Sequence, residues 1–243
     1  MKIENAMVLA AGLGTRLRPV TDTMPKPLVP IAGKPMIDYG LDALAAAGVR
    51  RVVVNVHHFA GQMIDHLSRR QRPEILISDE TGALMDSGGG LAKGLRLIGP
   101  EPVFVLNADL FWIGERRGEE TNLRRLASFF EPARMDMAML CVRLENTTGH
   151  NGKNDFSMDA EGRLTRYSAG CGEPVVYAGA IAMLPSLLSD APDEPFNLNI
   201  YFDRAIAAGR LYGLMLDGQW ITVGTPEAIA EAEAVLGKKA GAA

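Results

Sequence analysis

The chain has little cysteine, no long apolar run and no surplus of positive charge. Its two cysteines, Cys141 and Cys171, lie far apart, which excludes a disulfide scaffold and a CxxC metal site and fits a reducing cytoplasm. No stretch approaches the roughly 18 to 20 apolar residues of a membrane-spanning helix, so we expect no membrane contact. The short apolar stretch near the N-terminus ends in glycines, which indicates a buried strand rather than a signal peptide.

The charge balance excludes broad binding to nucleic acid. There are 25 lysines and arginines against 29 aspartates and glutamates, a net charge of −4, so any phosphate must be bound locally. The 47% of hydrophobic and 22% of charged residues are typical of a globular protein. We predict one domain over residues 1–236 and a flexible tail over 237–243. Because no amphipathic helix is left over for a partner, we expect a monomer or a weak homo-oligomer.

Strand and helix patterns alternate in the first half of the chain. Predicted strands cover residues 6–11, 51–56, 75–78 and 103–106, and predicted helices cover 36–48, 60–70 and 91–98. The second half is less regular, with strands at 135–142 and 175–183, a loop with a hairpin at 146–166, and helices at 197–208 and 227–236. This order predicts an α/β fold: one doubly wound, Rossmann-like domain with a mixed, mostly parallel sheet. Ligands of such sheets bind at the carboxyl ends of the strands.

The first strand is followed by a glycine-rich and basic segment, residues 9–28. Gly12 and Gly14 permit a backbone whose N–H groups ring a phosphate, and Arg16 adds a planar charged fork. Prolines on both sides of Lys26 stiffen its backbone, which suits a charge that must point at one place. The segment lacks the third glycine of a Rossmann fingerprint and the Gly-Lys-Ser/Thr of a P-loop. The two glycines alone would favour a tight turn with solvated basic residues.

Asp109 follows the strand at 103–106 and is the candidate metal ligand. A carboxylate at a strand end opposite a phosphate site is a natural ligand for Mg²⁺, although a turn or helix-capping role fits the same position. The polar segment at 151–155 suits either sugar hydroxyls or a hairpin turn. We interpret His57, His58 and His66 as structural or surface residues, because nothing in the sequence supplies matching metal ligands.

Four segments, in order, resemble motifs of the sugar-1-phosphate nucleotidyltransferases. Residues 9–28 resemble the signature Leu-Ala-Ala-Gly-x-Gly-Thr-Arg-Leu-x-Pro-x-Thr followed by Pro-Lys-Pro-Leu. Residues 84–90 resemble a glycine loop that holds the base and ribose, and 107–109 resemble the motif whose aspartate holds Mg²⁺. Residues 220–226 resemble a late Trp-x-Asp-Val/Ile-Gly-Thr-Pro element. The similarity covers nearly the whole chain and implies the nucleotide-diphospho-sugar transferase fold.

The resemblance also implies an activity and a set of site residues. A nucleoside triphosphate and a sugar 1-phosphate would form a nucleotide sugar, with Mg²⁺ as cofactor and release of pyrophosphate. The implied catalytic residues are Arg16, Lys26 and Asp109, with Asp109 as the metal ligand. The implied nucleotide-binding residues are Ala10, Ala11, Gly12, Gly14, Thr15, Arg16, Lys26, Glu80, Gly88 and Gly89, and the implied sugar-binding residues are Asn107, Asn154, Asp155 and Gly179. Tyr177 would line the sugar pocket.

The resemblance is strongest to a compact subgroup that couples UTP to N-acetylmuramic acid 1-phosphate in cell-wall recycling. Guanylyl transfer to mannose 1-phosphate, and thymidylyl or uridylyl transfer to glucose 1-phosphate, stay open as alternatives. Thr222 stands where the family usually has a second metal-binding aspartate. This departure also leaves open a protein of another class, a non-catalytic, nucleotide-sugar-binding regulatory subunit.

Overall fold

The computed structural model describes residues 1–116 and 118–240. Within them, the strands are β1 (Asn5–Leu9), β2 (Pro30–Ile31), β3 (Lys34–Pro35), β4 (Arg51–Val56), β5 (Glu74–Asp79), β6 (Val103–Asn107), β7 (Leu110–Ile113), β8 (Met137–Val142), β9 (Thr147–Thr148), β10 (Phe156–Met158), β11 (Leu164–Arg166), β12 (Glu173–Met183), β13 (Leu211–Met215) and β14 (Gln219–Thr222). The helices are α1 (Met36–Ala47), α2 (Ala60–Ser68), α3 (Asp86–Leu95), α4 (Asn122–Phe129), α5 (Asn199–Ala207) and α6 (Pro226–Ala240). None of these helices is long and apolar enough to cross a membrane.

A mixed sheet forms the centre of the molecule. Its strand order in the described chain is β11-β10-β12-β6-β1-β4-β5, and β8 and β13 continue it beside β12. Strands β6, β1, β4 and β5 are parallel, whereas β12 runs antiparallel to β6, β8 and β10. The valine-rich strand β4 is buried on both faces, as parallel strands between helices are. The predicted fold class is confirmed.

Helices cover both faces of this sheet, because successive side chains of a strand point to opposite sides. On β1, Ala6 and Val8 pack in a core with apolar residues of α1, α2 and α4. Met7 between them packs in a second core with α3 and α5. The domain is therefore doubly wound, as its alternation of strands and helices predicts.

A small sheet beside the main one was not predicted. Strand β14 pairs with β7 and β9, and α6 packs on it, with Phe111, Ile221 and Ala232 in a third apolar core. Leu110 pairs with Thr222, so the late element of the chain lies next to the end of β6. Helix α6 continues to Ala240, past the predicted start of the tail, and residues 241–243 lie outside the described residues.

Candidate functional site

The two main sequence motifs meet at one edge of the sheet. Strands β1 and β6 are parallel neighbours, and Leu9 lies opposite Asn107 at their carboxyl ends. The backbone N–H of Ala108 donates to the carbonyl of Leu9 at 3.1 Å. The glycine-rich segment and Asp109 therefore leave the sheet side by side, at the edge where such folds bind ligands.

The backbone after β1 forms an open concave turn. Gly14 has φ +64°, and a Cβ there would lie 2.9 Å from side-chain atoms of Lys26 and Thr21, so only glycine fits. The hydroxyl of Thr21 donates to the Gly14 carbonyl at 2.9 Å and holds the turn. Within the described residues, the backbone N–H groups of Ala11 and Gly12 donate no hydrogen bond. Free N–H groups in such a turn are a ready anion site.

Lys26 and Asp109 form an ion pair at the centre of the site. The Lys26 Nζ lies 2.6 Å from Asp109 Oδ2, although the residues are 83 positions apart. Lys26 is 9% exposed and follows Pro25, whereas about a third of the Asp109 side chain (36%) is open to solvent. The lysine is therefore fixed by its surroundings, and the carboxylate is accessible to a ligand.

Three cavities converge on Asp109. Cavity A, of about 280 Å³, is lined by the ends of β1 and β6 and the start of α3. Cavity B, of about 440 Å³, is lined by residues that include Arg16 and Thr222. Cavity C, of about 380 Å³, lies along the open turn. A fourth, cavity D, of about 260 Å³, shares Leu9, Ser87 and Asn107 with cavity A. The arrangement gives separate spaces around the Lys26–Asp109 pair.

A buried polar network stands behind cavity A. The side-chain oxygen of Asn55 accepts from the Ala10 N–H at 2.6 Å, and its amide donates to Glu80 at 2.7 Å. The other Glu80 oxygen accepts from the Met85 N–H at 3.2 Å. Glu80 is 1% exposed and does not line cavity A, so in this structure it supports the backbone of the site, and its contact with a base or ribose stays a prediction. Asn55, a polar residue inside the valine-rich β4, was not predicted.

The glycine triplet at 88–90 lies in helix α3 and not in a loop, which corrects the prediction. The N–H groups of Gly88 and Gly89 donate to the carbonyl of Phe196 at 2.9 and 3.2 Å, so they are not free for a base. A Cβ on Gly88 would collide with the Phe196 ring, and one on Gly90 would lie 2.7 Å from a Glu80 oxygen. The triplet thus permits close packing. Ser87, just before it, lines cavity A.

Two of the four residues predicted to bind the sugar line cavity D. Asn107 and Asp155 line it, and the Asp155 carboxylate accepts from the Tyr177 N–H at 2.9 Å. Asn154 lies beside it in the chain, with a buried Oδ1 that has no hydrogen-bond partner among the described residues. Burial raises the pKa of the Tyr177 phenol, and Cys141, Asp109 and Asp155 raise it further, so the hydroxyl stays protonated. It is a hydrogen-bond donor in the cavity wall.

Packing explains why residue 179 is a glycine. It lies in an irregular part of β12, has φ +71°, and a Cβ there would collide with the side chain of Leu110. It lines none of the cavities A to D in the described structure. Its contact with the sugar stays a prediction.

Because Gly179 is packed against Leu110, we expect Gly179→Ala to lower the stability of the fold. Gly209→Ala is the matched control, because Gly209 has φ +65° but no atom lies within 4 Å of the place that its Cβ would take. We expect the control to lose about 1 to 2 kcal/mol from backbone strain alone. Gly179→Ala should lose roughly 1 to 3 kcal/mol more because of the collision. Chemical denaturation measures both, and equal losses would show that the Leu110 contact costs nothing.

The residues present fit a magnesium ion held largely by substrate. Among the described residues, no group of three or more His, Cys, Asp and Glu side chains could hold a metal. The Thr222 hydroxyl lies 3.4 Å from the Asp109 carbonyl oxygen. Asp109 Oδ1 makes no hydrogen bond within the described chain. One accessible carboxylate beside an anion site suits Mg²⁺, which is commonly bound by one or two carboxylates plus phosphates.

His57, His58 and His66 each contact a neighbouring protein group. His57 Nδ1 lies 2.7 Å from the Glu80 carbonyl oxygen, and His58 Nε2 lies 3.2 Å from that of Thr21. His66 pairs with Asp38 at 3.0 Å, away from the site. None of the three lines cavities A to D.

An open turn with free N–H groups, a fixed lysine and an accessible carboxylate lie together at the strand ends of a doubly wound sheet, and this arrangement suits a phosphate-containing ligand. Residues 5–147 match the family described as "Nucleotidyl transferase". The chain is 42% identical to the N-acetylmuramate alpha-1-phosphate uridylyltransferase of Caulobacter vibrioides over 95% of this chain and 96% of that one. The chain belongs to the nucleotidyl transferase family and is an enzyme of that class, which confirms the resemblance of the motifs.

Further matches extend the comparison. The enzyme of the same name from Neisseria meningitidis serogroup B is 30% identical over 96% of this chain and 98% of that one. A mannose-1-phosphate guanylyltransferase catalytic subunit beta from Drosophila pseudoobscura pseudoobscura is 30% identical over 91% of this chain, which spans 59% of that protein. The structure of a UDP-glucose pyrophosphorylase in complex with UDP-glucose matches with a TM-score of 0.77 at 19% identity, covering 98% of this chain and 99% of that one. The structural match supports the fold.

Proposed function

We propose that the protein is a uridylyltransferase that couples UTP to N-acetylmuramic acid 1-phosphate, for reuse of cell-wall sugars. The observation that supports nucleotidyl transfer is the Lys26–Asp109 ion pair, which lies where the cavities meet. The substrates follow from the two nearly full-length relatives of that name. Because UTP is a cytoplasmic metabolite, the proposal includes action in the cytoplasm, by a monomer or weak homo-oligomer.

In the proposed reaction, a phosphate oxygen of the sugar 1-phosphate attacks the α-phosphorus of UTP. A new P–O bond forms while the bond to the bridging oxygen breaks, and pyrophosphate leaves with that electron pair. Such transfers depend on positioning and on neutralising charge. The N–H groups of the open turn and Arg16 would hold the triphosphate, and Lys26 would stabilise the charge that develops on the α-phosphate.

Substrate groups would occupy the cavities around the ion pair. Cavity A, next to the open turn, suits the base and ribose, and cavity D, which continues it, suits the sugar. Asp109 would hold Mg²⁺, which lowers the negative charge of the phosphates when it is bound. Asn107 lies at the border of cavities A and D, where the two substrates would meet.

Two alternatives have some support. A guanylyltransferase acting on mannose 1-phosphate is favoured by relatives of that name, but this chain spans only 59% of the first of them. A non-catalytic, nucleotide-sugar-binding regulatory subunit is favoured by Thr222, which removes a carboxylate from the site. The paired Lys26 and Asp109, which a mere binder would not need, argue against it.

The test is pyrophosphate release with Mg²⁺ over a grid of nucleoside triphosphates and sugar 1-phosphates. We expect the highest kcat/KM with UTP and N-acetylmuramic acid 1-phosphate. A different best pair would overturn the substrates and keep the reaction. Nucleotide binding without turnover across the grid would favour the regulatory subunit, and Thr222→Asp would then show whether the missing carboxylate is the cause.

A further inference from the structure

An arginine side chain is fixed in the wall of cavity D. Arg166 ends β11, and its Nε donates to Asp203 Oδ1 at 2.8 Å while its Nη2 donates to Asn199 Oδ1 at 2.9 Å. The guanidinium carbon lies 5.1 Å from the centre of the Phe156 ring. Two hydrogen bonds to α5 and an aromatic neighbour hold the guanidinium in place, so little conformational freedom is left to lose when it binds a ligand.

The same guanidinium keeps capacity for a ligand. Its Nη1 makes no hydrogen bond within the described chain, and 42% of the side chain is exposed. Arginine presents five N–H donors in a planar fork that matches carboxylate geometry. A fixed and partly unsatisfied guanidinium in a cavity wall is therefore a site for an acidic group.

The other groups of cavity D suit a neutral sugar ring. Tyr177 and Asn197 also line it, and Asp155 Oδ1, which makes no hydrogen bond within the described chain, can accept from a sugar hydroxyl. Within the described lining of the cavity, Arg166 supplies the positive charge. An acid on the ligand would therefore be drawn towards Arg166 and away from the carboxylate of Asp155.

We propose that Arg166 binds the carboxylate of an acidic sugar 1-phosphate and thereby selects it over the neutral sugar. This inference rests on the proposed function, because N-acetylmuramic acid differs from N-acetylglucosamine by a lactyl ether that ends in a carboxylate. The cavity that Arg166 lines shares Leu9, Ser87 and Asn107 with the cavity beside Lys26 and Asp109, so we place the phosphate of the ligand on the side of Asp109 and its acid at Arg166. Arg166 is then a specificity residue for the sugar.

The test compares three sugar 1-phosphates with UTP: N-acetylmuramic acid 1-phosphate, its lactyl amide, and N-acetylglucosamine 1-phosphate. We expect Arg166→Gln to lower kcat/KM for the acid by at least about tenfold, as the loss of a charge-assisted hydrogen bond requires. The same change should leave kcat/KM for the amide and for N-acetylglucosamine 1-phosphate within about twofold. Arg166→Lys should recover part of the preference, because it keeps the charge and loses the fork.

Arg163→Gln is the matched control. Arg163 lies in the same hairpin and also donates from Nε, to the Tyr212 hydroxyl at 3.2 Å, but does not line cavity D. It should leave all three values unchanged. Equal losses for the three sugars in Arg166→Gln would show a structural role and overturn the proposal, as would no loss for the acid. A wild-type enzyme that turns over other sugar 1-phosphates but not the acid would instead overturn the proposed function.

Discussion

Asp109→Asn should lower kcat by at least about a thousandfold at saturating substrates. The asparagine amide is neutral and a weak ligand for Mg²⁺, so the change removes both the accessible carboxylate that we propose as the metal ligand and the charged partner of Lys26. A thousandfold loss corresponds to about 4 kcal/mol of transition-state stabilisation, the size expected when charge neutralisation at a phosphate fails. Pyrophosphate release measured against Mg²⁺ concentration checks the prediction, and we expect the metal dependence to shift to higher concentrations.

The matched control for this change is Asp193→Asn. Asp193 also pairs with a basic residue, Arg96, at 3.3 Å, but its side chain is 76% exposed and lies outside cavities A to D. It should keep wild-type kcat and wild-type metal dependence. If Asp109→Asn retained a tenth or more of the activity at the same Mg²⁺ concentration, the Asp109 carboxylate would not be the metal ligand. Another group would then have to hold the metal, since Thr222 carries no carboxylate.

The parts of the site that the sequence predicted lie on neighbouring parallel strands. The segment after β1 and Asp109 after β6 both follow apolar runs, and strand ends of a parallel sheet share one edge. Lys26 is fixed by the prolines around it, which are visible in the sequence. Local patterns therefore specify that the glycine-rich segment, Lys26 and Asp109 lie at the same edge of the sheet.

The rest depends on contacts between distant residues, which local patterns do not contain. In the sequence, Gly88 and Gly179 cannot be told apart from glycines that let a ligand approach the backbone. In the structure, the Phe196 ring leaves no room for a Cβ at Gly88, and the Leu110 side chain leaves none at Gly179. A glycine shows only that a Cβ is excluded, and not by what. The roles of Asn55 and Arg166 are likewise not visible in the local sequence, because their hydrogen-bond partners Glu80 and Asp203 lie far away along the chain.

Lys26→Gln should lower kcat by about a hundredfold to a thousandfold and change the KM for UTP much less. The lysine is buried against Asp109 at the centre of the site. We therefore expect its positive charge to stabilise chiefly the negative charge that develops in the transition state. An interaction made mainly in the transition state lowers kcat and kcat/KM together when it is removed. Steady-state kinetics with varied UTP separates these two effects.

Two further variants decide whether position or charge alone matters at Lys26. Lys26→Arg keeps the charge, but the planar fork is larger than an ammonium and the site is 9% exposed, so we expect little recovery. Lys34→Gln is the control, because Lys34 pairs with Asp42 at 2.6 Å outside cavities A to D and should keep wild-type kinetics. If Lys26→Gln raised KM and left kcat unchanged, Lys26 would bind the ground-state triphosphate like Arg16. The charge developing at the α-phosphate would then have to be stabilised by other donors, with the N–H groups of the open turn as the first candidates.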